Sequence, residues 1–142
     1  MARIFSLWVG SNLSVYEKLT LASALKHNHD FTLFSYEPLE VPTGIIIADA
    51  NLVIPKSEIK QINQSFASFS NRFRYTVLLS QSFDAWVDMD IVLNSEKLPS
   101  NMGYRFGYEN KRVVNNAVVG YPAESVLAKK LILNSEIGRA HV

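Results

Sequence analysis

Two aspartates two positions apart, Asp88 and Asp90, close the segment Ala85-Trp86-Val87-Asp88-Met89-Asp90. On an extended backbone, residues i and i+2 project to one side, so their carboxylates converge. Converging carboxylates repel each other unless a cation lies between them, and a hard divalent ion with oxygen ligands suits that position. Mg²⁺ and Mn²⁺ accept one or two carboxylates and fill their remaining positions with water and diphosphate oxygens. The pair is therefore a candidate site for a metal-bound diphosphate. Taken alone, it is more often the pattern of a solvated acidic loop. An EF-hand is excluded, because that loop needs an oxygen ligand at its fifth position and Gly at its sixth, where Val92 and Leu93 stand. An aspartyl phosphotransferase with Asp88 as nucleophile stays open, although its strand ordinarily opens the chain and this pair lies past the middle.

The elements that position the pair can be read from patterning. The apolar run at residues 85–87 is a short strand with the acids at its C-terminal end, where open α/β sheets bind ligands. Residues 3–9 (RIFSLWV) read as a first strand. Gly10-Ser11-Asn12 is a turn, and Ser14 with Glu17 forms a capping box opening a helix to about Lys26. Apolar residues Tyr16, Leu19, Ala22, Ala24 and Leu25 carry that helix. His27 and His29 have metal-pair spacing but stand at this helix's end, where His commonly meets the last carbonyls. Strands are expected at 31–36 and 45–47, a helix over 66–80 with Phe66, Phe69, Phe73, Val77 and Leu78 as core, and strands at 104–108 and 117–121. A last helix after Pro122 carries Val126, Leu127, Leu131 and Ile132. The alternation implies an α/β fold with a mainly parallel sheet flanked by helices.

Composition narrows the function classes. The 142 residues are 48% hydrophobic and 19% charged, an ordinary globular balance sufficient for one core. Fourteen basic residues against thirteen acidic leave a net charge of +1, without the clustered basic excess of a nucleic-acid binder. There is no cysteine, so disulfides and thiolate zinc sites are excluded. No apolar run approaches the roughly 20 residues of a transmembrane helix, and the strand-like start leaves no room for a signal peptide. A cytoplasmic protein, with peripheral membrane attachment also compatible, is the expectation. Residues 136–142 (EIGRAHV) read as an in-frame sequencing adapter, which would put the native boundary near Ser135 and make residues 1–135 part of a longer protein.

Three motifs in order resemble glycosyltransferases that carry the D-x-D motif, especially family 32 and its relatives. Ile4-Phe5-Ser6-Leu7-Trp8-Val9-Gly10 is similar to their first strand, I-x-x-[IL]-W-x-G. Ser70-Asn71-Arg72-Phe73-Arg74, with Leu78-Leu79 following and Trp86-Val87-Asp88-Met89-Asp90 after it, is similar to their S-D-x-x-R-x-x-x-L and G-G-x-[YW]-x-D-x-D pattern. Asn115-Asn116-Ala117-Val118 is similar to their N-N-[AG]-x segment. The resemblance spans nearly all of residues 4–133. It implies a GT-A (Rossmann-type) fold, Mn²⁺ or Mg²⁺ as cofactor, a nucleotide-sugar donor, and a glycan or polysaccharide acceptor. It also implies retention of configuration and transfer of a hexose. In that frame Trp8 lines the nucleotide pocket, Arg74 lies near the donor sugar or diphosphate, and Trp86 precedes the acids at the donor site. Asp88 touches the ribose or sugar, Asp90 coordinates the metal, with Asp88 as a possible second ligand, and Asn115 or Asn116 lies near the transferred sugar.

This chain departs from the pattern at two places. Asn71 stands where the family has the Asp that holds a donor-sugar hydroxyl, and Phe83-Asp84 stands where it has paired glycines. Asn71 keeps an acceptor oxygen without the charge. A non-catalytic nucleotide-sugar binder is therefore carried beside the enzyme. Trp8 also fits a plain core position and Arg74 a plain ion pair.

Overall fold

A computed structural model of the chain describes residues 2–59, 66–80, 82–98, 105–108, 114–120 and 130. Its six-stranded sheet runs β3-β2-β1-β4-β6-β5, where β1 is Arg3–Trp8, β2 Asp30–Ser35, β3 Ile46–Asp49, β4 Ala85–Val87, β5 Arg105–Tyr108 and β6 Val114–Gly120. The helices are α1 (Val15–Lys26) and α2 (Ala67–Leu79), with short 3₁₀ turns at Ala50–Leu52 and Lys56–Glu58. β1 pairs in parallel with β2 and β4, and β2 with β3, while β6 runs antiparallel to β4 and β5. The α/β architecture with a mostly parallel sheet thus stands. The third strand begins one residue later than its isoleucine run suggests, and β6 begins at Val114, so that it takes in both asparagines. The expected last helix lies outside the described residues, apart from helical Lys130, as does the 136–142 segment.

The central strands are buried on both faces, which explains their nearly unbroken apolar sequences. Phe5, Leu7, Phe34 and Trp86 pack with Phe69, Phe73, Val77 and Leu78 of α2. Ile4, Phe31, Leu33, Ala85 and Val87 pack on the opposite face with Leu21 and Ala24 of α1. Where the resembling family has paired glycines, Phe83 packs at a tilt against Phe5, with 4.9 Å between ring centroids. The Asp84 carboxylate accepts a 2.8 Å bond from the Arg3 N–H. Local packing holds this loop in place of a glycine turn.

Helix α1 begins as its sequence dictates. The Ser14 N–H and hydroxyl donate to the two Glu17 oxygens, each at 2.7 Å. It ends with Asn28 in the left-handed region (φ 60°). The Asn28 N–H bonds to the Leu25 carbonyl and the His29 N–H to the Ala24 carbonyl, a Schellman end. The last carbonyls are thus met by backbone, whereas the His29 ring bonds to the Ser95 carbonyl at 2.7 Å. The apolar residues that carry α1 do not all face inward. Tyr16 and Leu19 are 70% and 52% exposed, while Glu17, Thr20, Leu21, Ser23 and Ala24 are buried. The helix turns polar side chains inward because it faces an irregular backbone segment, residues 89–95, whose amide groups need hydrogen-bond partners.

Candidate functional site

The chain runs from β1 to β2 and β3 on one side, then returns to β4 on the other side of β1. The crevice between β1 and β4, at their C-terminal ends, is thus a topological switch point, the usual ligand position in such sheets. A cleft of about 400 Å³ opens there. β1 contributes Ser6, Leu7 and Trp8. β4 and the turn after it contribute Trp86, Asp88, Met89 and Asp90, while α1 adds Glu17 and α2 adds Ser70 and Arg74.

Asp88 is half-buried, and two groups meet its Oδ1. The Trp86 indole N–H donates to it at 2.6 Å, and the Arg74 guanidinium lies 3.5 Å away. That guanidinium stacks 4.3 Å over the Trp86 ring. It also donates through Nη2 to the Ser70 hydroxyl at 2.9 Å. One helical turn therefore aims Arg74 at the strand end, and the indole serves as both shelf and donor. Burial raises the Asp88 carboxyl above the ordinary aspartate value. The Trp86 bond and Arg74 pull it back down, while Asp90 adds to the rise.

The geometry of the pair differs from its expected form. β4 ends at Val87, and Asp88 to Ile91 form a turn in which the Ile91 N–H bonds to the Asp88 carbonyl at 3.3 Å. Strand alternation does not make the two carboxylates converge. The turn instead leaves Asp90 exposed and Asp88 half-buried, both on the cleft, because the side chain between them, Met89, is drawn into the α1-side core.

Glu17 was legible in the sequence only as a capping acid, yet it lines the cleft. The first turn of the helix after β1 stands beside that strand's C-terminal end, so the third helical residue faces the crevice. Burial raises its carboxyl, but the hydrogen bonds from Ser14 outweigh this and hold it below the ordinary glutamate value.

Among the described residues, no group of three or more His, Asp or Glu side chains is gathered as a metal cage. Glu17, Asp88 and Asp90 share the cleft with Arg74 as the cation among its lining residues. With the Asp88 Oδ1 engaged, Asp90 is the more available ligand. This donor set fits a Mg²⁺ or Mn²⁺ ion completed by diphosphate oxygens and water, rather than one enclosed by protein.

Trp8 lies partly buried against the α1-side core, with its indole N–H on the Asn12 carbonyl at 2.9 Å, and it still lines the cleft. Asn71, on α2, is not among the lining residues. Asn115 and Asn116 belong to β6, whose Ala117 carbonyl accepts from the Asp88 N–H at 2.7 Å. The antiparallel register carries both asparagine backbones past Ala117 at the acid end of β4. Comparison with protein-family models, with curated proteins and with solved structures returns no match. No helix among the described residues is long and apolar enough to cross a membrane.

Proposed function

We propose that this chain is a GT-A-type glycosyltransferase domain that moves a hexose from a nucleotide-sugar to a glycan or polysaccharide acceptor, with Mn²⁺ or Mg²⁺ and with retention. The observation that carries the reading is the shared cleft at the switch point, lined together by Trp8, Arg74, Asp88 and Asp90. Three carboxylates against one guanidinium repel a bare diphosphate and attract a cation, so the same cleft accepts a diphosphate together with a divalent ion. The ion, when bound, neutralises charge on the departing diphosphate. Asp90 would hold it, Asp88 would accept from ligand hydroxyls, and Arg74 would present its planar fork to phosphate or sugar oxygens. Trp8 offers an indole edge for the nucleoside.

A second reading, a non-catalytic nucleotide-sugar binder, is favoured by one observation. Asn71, at the position where the resembling enzymes carry a donor-binding acid, stays off the cleft. Calorimetry with UDP and GDP, with and without Mn²⁺, tests both readings. Metal-dependent binding that is lost in Asp90→Ala is expected. Binding that is indifferent to the metal and to both aspartates would remove the assignment. Turnover of a sugar-nucleotide then separates enzyme from binder.

A further inference from the structure

We infer that the inward polar face of α1 is a positioning device for Asp90, in which Thr20 and Ser23 set the height and register of the turn that carries it. The inference rests on the reading of the cleft as a metal-dependent donor site. After β4 ends, the chain from Met89 to Leu98 belongs to no strand or helix, so its amide groups must find other partners. Two of them find α1. The Thr20 hydroxyl donates to the Met89 carbonyl at 2.9 Å. The Leu93 N–H donates to the Ser23 hydroxyl at 2.9 Å. The Ser23 hydroxyl in turn donates to the Thr20 carbonyl at 2.7 Å, which joins the two anchors. Both side chains are buried.

These anchors bracket Asp90, one residue before it and three after. Met89 adds an apolar pin between Asp88 and Asp90. The result is an exposed carboxylate on a turn held from both ends. Further along, the ring of His29, two residues past the C-cap of α1, bonds to the Ser95 carbonyl and meets the segment again. A helix serving only as a lid would bury its apolar residues. This one leaves Tyr16 and Leu19 in solvent and sets the buried hydroxyls of Thr20 and Ser23 beside Leu21 and Ala24 on its inner face.

The test is Thr20→Val, a near-isosteric change, alone and with Ser23→Ala, read by calorimetry with Mn²⁺ and UDP and by amide exchange at Leu93. Loss of the partners that orient a metal ligand weakens metal affinity about 10-fold or more. The Mn²⁺ concentration for half-maximal UDP binding is therefore expected to rise about 10-fold, with UDP affinity at saturating Mn²⁺ close to that of the parent. Thr20→Ser, which keeps the hydroxyl, should restore the parent metal dependence. A general loosening would weaken both affinities alike, and that outcome overturns the inference. Unchanged metal dependence despite faster Leu93 exchange overturns it too, while leaving the donor-site reading intact. Absence of any Mn²⁺-dependent UDP or GDP binding by the parent removes the donor-site reading itself, and this inference with it. If the double variant does not fold, Thr20→Val and Thr20→Ser decide the matter.

Discussion

Replacing Arg74 with Met keeps the apolar stem and removes the guanidinium, so the change isolates what that group does beneath the acid pair. Stacking at 4.3 Å over Trp86 in a buried setting is worth roughly 1–2 kcal/mol. The 2.9 Å charged bond to the Ser70 hydroxyl adds about 1.5 kcal/mol. Pairing with Asp88 contributes less, since that carboxylate is 34% exposed and solvent screening holds such pairs to about 1 kcal/mol at most. Relief of guanidinium desolvation and the apolar burial of Met offset part of the loss. A net destabilisation of about 2 kcal/mol is expected. It should be accompanied by a further rise of the Asp88 carboxyl, because Arg74 is one of the two influences holding it down. Urea unfolding at neutral pH, with tryptophan fluorescence as the probe, measures the first effect. Carboxyl carbon NMR across an acid titration measures the second. A loss below about 0.5 kcal/mol, the range of an ordinary surface change, together with an unmoved Asp88 carboxyl, would refute the arrangement of Arg74, Trp86 and Asp88 described above.

The two buried-side acids of the cleft should respond to pH in opposite directions. Folding raises the Asp88 carboxyl, so the native state holds its proton more tightly than the unfolded chain. Ionisation of Asp88 then subtracts stability as pH climbs from the ordinary aspartate value through the raised native one. Asp88→Asn should therefore gain on the parent across that window and match it below, as read from urea midpoints at a series of pH values, while losing Mn²⁺-dependent nucleotide binding. Folding lowers the Glu17 carboxyl, so its contribution is present above the ordinary glutamate value and disappears as pH falls through the lower native one. Glu17→Gln keeps the acceptor for the Ser14 N–H but loses the charge and the bond from the Ser14 hydroxyl, and should cost about 0.5 kcal/mol at neutral pH. That deficit should close in acid, and a deficit constant with pH would argue against an ionised cap.

Much of the scaffold was legible because its signals are local. Ser14 and Glu17 lie three apart, and their reciprocal bonds need nothing beyond the first turn of α1. The apolar runs of β1, β2 and β4 are long enough in aggregate to declare a sheet covered on both faces. Phe69, Phe73, Val77 and Leu78 keep a helical period that only one face can satisfy. The β3 boundary was less legible, since Ile45, Ile46 and Ile47 are equally good strand formers and the pairing with β2 selects Ile46–Asp49.

The acids and their neighbours show where reading along the chain stops. Two aspartates two apart imply convergence only if the backbone is extended, and the turn at Asp88–Ile91 removes that premise. Their different burial comes from Met89 being claimed by the α1-side core. That the Asp88 Oδ1 would be met by an indole two residues before it and a guanidinium fourteen before it depends on how α2 crosses the sheet.

Sequence by itself determined the alternation of strand and helix, the N-terminal capping box of α1, and which residue types could hold a cation and a diphosphate. Those properties follow from backbone propensity, side-chain chemistry and spacing within a few residues. Tertiary structure decided which face of α1 is inside, because the 89–95 backbone it covers exchanges hydrogen bonds with Thr20 and Ser23 while the sheet takes Leu21 and Ala24. It also made Glu17 a wall of the cleft and left Asn71 outside. Where a side chain points depends on what packs against its element, and those partners lie as far as 81 residues away along the chain.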